Sequence, residues 1–105
     1  GYINQNLDKP LTLEGLAARF YMSKNHLTAI FKRTTGTTVA RYILYKRMAR
    51  VRRELIEGIP AAEAAAKAGF GDYSSFFRAY KKMFGAAPSD RRAAALPDMD
   101  RSGAF

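Results

Sequence analysis

The chain has no cysteine and no tryptophan, a single histidine, His26, and only 9 acidic residues in 105 positions. Without cysteine there is no disulfide scaffold, no thiol nucleophile and no zinc site built on thiolates, and one histidine cannot assemble a His-rich metal site. No apolar run approaches the roughly 20 residues that a membrane-spanning helix needs. The opening Gly1-Tyr2-Ile3-Asn4-Gln5 has neither the charged segment nor the small-residue cleavage site of a secretory signal. There is no glycine-rich phosphate loop ending in Gly-Lys-Ser/Thr, and the carboxylates are scattered, so the groups for acid–base or nucleophilic catalysis do not converge. These absences predict a cytoplasmic protein that is not an enzyme and uses no metal or other cofactor.

What the chain does have is positive charge and apolar material. With 18 Lys and Arg the net charge is +9, while 48% hydrophobic and 12% aromatic residues suffice for a core. The length fits one domain or two very small ones. Up to Gly58 there are 11 basic and 4 acidic residues, and after it 7 and 5. Between Arg41 and Arg53 lie Arg41, Lys46, Arg47, Arg50, Arg52 and Arg53 with no acid among them. That density suits a polyanion better than a merely solvated helix face. Tyr42, Ile43, Met48, Val51 and Leu55 form a core-facing stripe in the same segment, unlike the interfacial wedge of a membrane-surface helix.

Gly, Pro and polar clusters punctuate the chain into helical segments, and no apolar/polar alternation lasts long enough for a strand. The expected fold class is all-α, with about seven helices. A short first helix around Tyr2 to Leu7 ends ahead of Asp8-Lys9-Pro10, because proline disfavours helical backbone before it and has no N–H to donate. Thr12 caps a second helix in which Leu13, Leu16, Ala17 and Phe20 share one face. After a tight turn at Tyr21-Met22, Ser23 caps a third helix with Leu27, Ile30 and Phe31 inward, and Gly36 stops it. A long helix from about Thr38 to Glu57 follows, ended by Gly58. Pro60, in a first helical turn, opens an alanine-rich helix through Ala68. Asp72 caps another through Phe84, closed by Gly85. Pro88 to about Ala95 is predicted to form a last short helix, and residues 96–105 a disordered tail.

The two halves repeat. Leu16 and Ala17 match Ala64 and Ala65 at a shift of 48; Leu27, Phe31, Lys32 and Gly36 match Phe76, Tyr80, Lys81 and Gly85 at a shift of 49, with one extra residue in the second turn. Each copy has the anatomy of a helix-turn-helix. A first unit over about 1–37, a linker helix over about 38–57 and a second unit over about 59–95 make up a domain of residues 1–95. A linker of about 20 residues is roughly 30 Å long, close to the roughly 34–36 Å between successive major-groove faces on one side of DNA. One chain is thus expected to present two reading helices to a duplex, which permits non-palindromic sites.

With Leu27, Ile30 and Phe31 inward, Lys24, Asn25, Thr28 and Lys32 face out, with His26 at their edge. Asn contacts adenine bidentately, Thr offers its hydroxyl or methyl, and Lys reaches guanine or a phosphate. In the later helix Phe76, Ala79, Tyr80 and Met83 take the core side, leaving Tyr73, Ser74, Phe77, Arg78 and Lys81 outside. Arg78 suits guanine or phosphate; Phe77 either lies on a thymine methyl or packs against a neighbouring helix. Phosphate contacts fall to Lys32, Arg33, Arg47, Arg50 and Lys81, to His26, and to Ser23 and the backbone N–H groups at the helix starts after Ser23 and Asp72. Asn25 and Arg78 are expected to specify sequence, and Arg50 to hold the backbone whatever the sequence.

Three blocks then carry a likeness: Pro10-Leu11-Thr12-Leu13-Glu14-Gly15-Leu16-Ala17; Met22-Ser23-Lys24-Asn25-His26-Leu27 leading to Phe31-Lys32 and Gly36; and Gly69-Phe70 with Asp72, Phe76, Arg78, Lys81-Lys82, Gly85, Pro88 and Arg92. Over roughly residues 2–92 the chain resembles the DNA-binding domain of AraC/XylS-type bacterial transcriptional regulators. The resemblance implies seven helices in two helix-turn-helix units, with base-reading positions at Asn25, Thr28 and Ala29 and at Tyr73, Ser74, Phe77 and Arg78. Ala29 stands where larger polar residues are often found, Ala61 and Ala64 where large aliphatics are usual, and Arg91 where an aromatic is common. The thinner core and smaller charge make the second unit the expected weaker or more mobile binder. The resemblance further implies activation through RNA polymerase, and a sensing or dimerisation domain that this chain does not encode.

Two other functions fit part of the pattern. A non-specific RNA- or nucleic-acid-binding protein shares the charge, but the common single-strand modules use an exposed aromatic platform on a sheet. A protein-interaction bundle shares the helix-turn-helix shape and would be retained by neither DNA nor RNA. The expected partner is double-stranded DNA, with no membrane involved.

Overall fold

Side-chain caps set where four of the six helices begin in the computed structural model of the chain, which describes residues 1–90. The elements are α1 (Tyr2–Gln5), α2 (Leu13–Arg19), α3 (Lys24–Thr35), α4 (Val39–Ile56), α5 (Ala61–Lys67) and α6 (Tyr73–Phe84), with no strand among the described residues. Thr12 Oγ1 accepts from the Gly15 N–H at 3.0 Å, Ser23 Oγ from His26 at 3.1 Å and Thr38 Oγ1 from Arg41 at 3.2 Å. Both Asp72 carboxylate oxygens are used, accepting from the Ser74 and Ser75 N–H groups at 3.3 and 3.1 Å. Each cap satisfies a backbone donor that the first helical turn leaves without a partner. At the other ends, Gly36 and Gly85 close α3 and α6 with left-handed φ of +78° and +74°.

Three expectations change. α1 stops at Gln5 because the Asn6 side-chain amide donates to the Tyr2 carbonyl at 2.7 Å, taking the acceptor that the next helical turn would have used. Pro60 lies outside α5, with an extended ψ of 143°, and Ala61 begins the helix. Pro88–Asp90 contains a turn, in which the Asp90 N–H donates to the Ala87 carbonyl at 2.9 Å. The remainder of the expected seventh helix, Arg91 and the expected tail at 96–105 lie outside the described residues. Six helices are therefore present among the described residues, none long and apolar enough to cross a membrane.

The chain divides into two compact units, the first spanning Gly1–Lys46 and the second beginning at Arg47. In the first, Ile3, Leu7, Leu16, Leu27, Phe31 and Tyr42 are buried in one cluster. Phe31 meets Tyr42 edge-on at 5.2 Å, a geometry that places the positive ring edge on the negative face. In the second, α5 packs against α6 but buries only Ala64 and Ala65, with Ala68 just beyond its end. Aromatic rings fill much of the space instead: Phe70 lies 5.1 Å from Phe76, Phe76 5.7 Å from Tyr80, and Tyr80 4.4 Å from Phe84. A cleft of about 290 Å³ remains within this unit, bordered by Leu55, Ile59, Ala61, Tyr73, Phe77 and Tyr80. It lies beside one of the two alanines that replace the expected aliphatics.

The internal repeat is structural as well as sequential. The Tyr21 and Met22 N–H groups donate to the Ala18 and Ala17 carbonyls; at the matching positions Gly69 and Phe70 donate to Ala66 and Ala65. Tyr21 and Gly69 both have positive φ, +56° and +98°. Glycine adopts this backbone freely, whereas a side chain there costs about 1 kcal/mol or more. Tyr21 recovers nothing by packing, since it is 97% exposed.

Within α4 the Arg50 Nε donates to Glu54 Oε1 at 3.3 Å, and Glu54 is only 7% exposed. The guanidinium thus neutralises a carboxylate that is otherwise costly to bury.

Three stability outcomes are expected. Tyr21→Gly stabilises by about 1 kcal/mol, raising the Tm by about 4–8 °C, whereas Gly69→Ala lowers it; thermal unfolding that shows no gain for Tyr21→Gly would contradict the strain. Ala61→Leu fills part of the cleft and stabilises by about 1 kcal/mol, and in the parent chain α5 and α6 amides exchange faster than those of α2 and α3. Hydrogen exchange in the opposite order would show that the rings fully replace the missing aliphatics. Arg50→Ala destabilises by about 2 kcal/mol in urea unfolding, and adding Glu54→Ala removes most of that loss.

Candidate nucleic-acid interface

Leu27 and Phe31 are fully buried on one side of α3, and this fixes which residues meet solvent on the other. Lys24, Asn25, Thr28, Ala29 and Lys32 are exposed along a continuous stripe, with His26 and Arg33 exposed beside it. All the expected contact residues of the first unit are therefore brought together. The Ser23 hydroxyl is already committed to capping. Lys24 is not a free cation either: its Nζ lies 3.5 Å from Glu14 Oε1 on α2. A backbone hydrogen bond at the start of α2, and then the Lys24 charge, hold the Glu14 carboxyl below the usual carboxylate range. Lys32 and Arg33 stand in the last turn of α3, where cations are also favoured by the helix dipole.

Burial of Phe76 and Tyr80 sets α6 in the same way. Tyr73, Ser74, Arg78 and Lys81 are exposed, as expected. Phe77 is half-buried on the wall of the cleft, its ring 6.4 Å from that of Tyr73 one turn earlier on the same helix. Ser75, which the sequence pattern did not single out, links the cap to the exposed stripe. Its hydroxyl donates to Asp72 Oδ2 at 2.6 Å and accepts from Arg78 Nη2 at 3.4 Å. The signal for it was the Asp-x-x-Ser spacing, which puts a hydroxyl within reach of the cap, as a capping box does. The Ser75 hydroxyl first, then the Ser75 and Ser74 N–H groups and the Arg78 charge, hold the Asp72 carboxyl below its ordinary value. The cap contribution is therefore present above the usual carboxylate pKa and lost as pH falls through the lower folded value.

The cations of α4 are not the uniform face that their spacing suggests. Lys46 lies over the rings of Tyr42 and Tyr45 at 5.4 and 5.7 Å, and Arg52 sits 5.0 Å from the centre of Phe84 while hydrogen-bonded to the Tyr80 phenol. Burial pushes the Tyr80 phenol up, against the pull of Arg52. Burial also lowers the Arg47 guanidinium pKa, although arginine stays protonated. Arg41 and Arg53 alone among the six are exposed. Arg50, expected to serve the DNA backbone only, also has a structural task at Glu54.

Residues 16–94 match the helix-turn-helix domain family. The chain is 33% identical over 92 residues to the multiple antibiotic resistance protein MarA of Escherichia coli, covering 87% of this chain and 72% of that one. It is 29% identical over 89 residues to the probable transcriptional regulator LumQ of Photobacterium leiognathi, covering 84% of this chain but only 36% of LumQ. Its fold matches that of a transcriptional regulator with an AraC-type DNA-binding domain from Chromobacterium violaceum, with a TM-score of 0.79 and 25% identity over 87% of this chain and 82% of the other. With the family match over residues 16–94 and the likeness to MarA, the chain belongs to the AraC-type helix-turn-helix family and is a DNA-binding domain of the kind found in transcriptional regulators.

Proposed function

We propose that this chain reads double-stranded DNA sequence-specifically, with α3 and α6 entering successive major-groove segments, as the DNA-binding part of a cytoplasmic transcriptional regulator. The duplicated exposed stripe carries this reading: a side-chain cap at the matching position and a matching buried i, i+4 pair turn Lys24, Asn25, Thr28, Ala29 and Lys32 outward on α3, and Tyr73, Ser74, Arg78 and Lys81 outward on α6. Asn25 supplies both an amide donor and an acceptor to adenine, Thr28 and Ala29 suit a thymine methyl, and Arg78 forks onto guanine O6 and N7. Tyr73 and Ser74 add hydroxyls, and Phe77 contributes at the edge of the stripe. Lys32, Arg33 and Lys81 carry no ion pair among the described residues and serve phosphates. His26 and the N–H groups at the start of α3 join them, with Ser23 holding those groups in place. Arg47 and Arg50 add charge from partly buried positions. RNA polymerase is the partner through which such a regulator would activate transcription.

Selection of bound sites from random duplex DNA tests this reading. The chain is expected to prefer one sequence over random duplex and structured RNA, with affinity falling steeply as salt rises. Asn25→Ala loses about 1–3 kcal/mol, concentrated at one base pair. Lys32→Ala weakens all duplexes alike and reduces the salt slope by about 0.9. Equal retention of RNA and random duplex would instead identify a non-specific basic nucleic-acid binder.

A further inference from the structure

The capping hydrogen bonds of α6 are complete with the backbone N–H groups of Ser74 and Ser75, yet the Ser75 hydroxyl makes two further contacts, to Asp72 and to Arg78. The order of donors in this chain is fixed by chemistry. A carboxylate only accepts and a guanidinium only donates, so the Ser75 hydroxyl donates its one proton to Asp72 and turns its lone pairs toward Arg78. No ion pair joins Asp72 to Arg78 directly among the described residues; the hydroxyl is the connection. The first unit shows that a helix start in this fold does not require the arrangement. At the matching positions it has Ser23, His26 and Ala29, with no carboxylate, no hydroxyl at the third place and no guanidinium, and the single Ser23 hydroxyl caps α3.

We propose that Ser75 is a positioning residue, orienting the Arg78 guanidinium for a guanine in the groove that α6 enters. This rests on the reading of α6 as a recognition helix. A free arginine side chain samples many rotamers and loses that freedom on binding. Here the side chain is tethered before DNA arrives, through a hydroxyl whose own direction is set by a capping carboxylate. The same link keeps the Asp72 charge engaged within the protein, at a helix start that would otherwise present an anion to phosphates. Specificity in the second unit thus comes from a preset guanidinium, whereas Asn25 and Thr28 in the first unit have no such tether.

The test uses the full chain on its selected duplex and on a series in which each base pair is replaced in turn. The parent discriminates one G·C pair, and Arg78→Ala abolishes that discrimination. Ser75→Ala reduces it about three- to tenfold at that pair only, with the salt slope unchanged because no phosphate contact is lost. Ser75→Thr, which keeps the hydroxyl, retains it. Asp72→Asn keeps a good cap but offers an amide donor to Ser75, and reduces discrimination as Ser75→Ala does; it carries the same test should Ser75→Ala fail to fold. Full discrimination in Ser75→Ala or Asp72→Asn overturns the proposal, as does an Arg78→Ala variant that still discriminates, and both leave duplex reading intact. A parent chain with no preference among duplexes overturns the reading itself, and this proposal with it.

Discussion

Two buried side chains four residues apart on each of α3 and α6, Leu27 with Phe31 and Phe76 with Tyr80, govern what these two helices present to solvent. Each buried pair contributes about 3–6 kcal/mol by removal of apolar surface from water, and the contribution is lost if the helix rolls about its axis. Rotation is therefore fixed to within a side chain, and the residues opposite the pair have to face water. The polar stripes on α3 and α6 follow from packing on the other side of the helix. The residues of the stripes are therefore not needed to hold their own helices in place.

Much of this was legible because it is written in local chemistry. Thr12, Ser23 and Asp72 cap where their side chains predict, and Gly36 and Gly85 end helices at backbone angles that glycine tolerates best. The repeat then located both corners and both buried pairs. What escaped was set by contacts between side chains at particular rotamers. Periodicity marks Arg50, Arg52 and Lys46 as cations on a helix, but cannot say that one neutralises Glu54 and that the others lie over rings. The Asn6 amide that ends α1 is a similar case. Ser75 was missed because a serine beside a cap is ordinary until an arginine one turn later is seen to reach it.

The two units solve one geometrical problem with different materials. The first uses aliphatic side chains around Phe31 and Tyr42 and tolerates a tyrosine at a left-handed turn. The second uses glycine at that turn, alanines on α5 and a run of four aromatic rings, and leaves a cleft where the alanines fall short. Strain is thus placed in the turn of one unit and loose packing in the core of the other. The cleft borders the stripe of α6 at Tyr73 and Phe77, while the buried pair and the cap, present in both units, orient the stripes.

The count of 18 Lys and Arg overstates the number of cations that stand unengaged on the surface. Lys24 is shared with Glu14, and Arg50 with Glu54. Lys46 and Arg52 rest over rings, where their stems add packing as well as charge. Lys32 and Arg33 stand exposed in the last turn of α3, and Lys81 and Lys82 in the last turn of α6, with Arg78 exposed one turn earlier. Their position has a physical reason. Cations at the end of a helix are stabilised by its dipole, whereas the one cation in the first turn of α3, Lys24, is held beside Glu14. The charge at the far ends of both helices therefore follows the polarity of the helix itself.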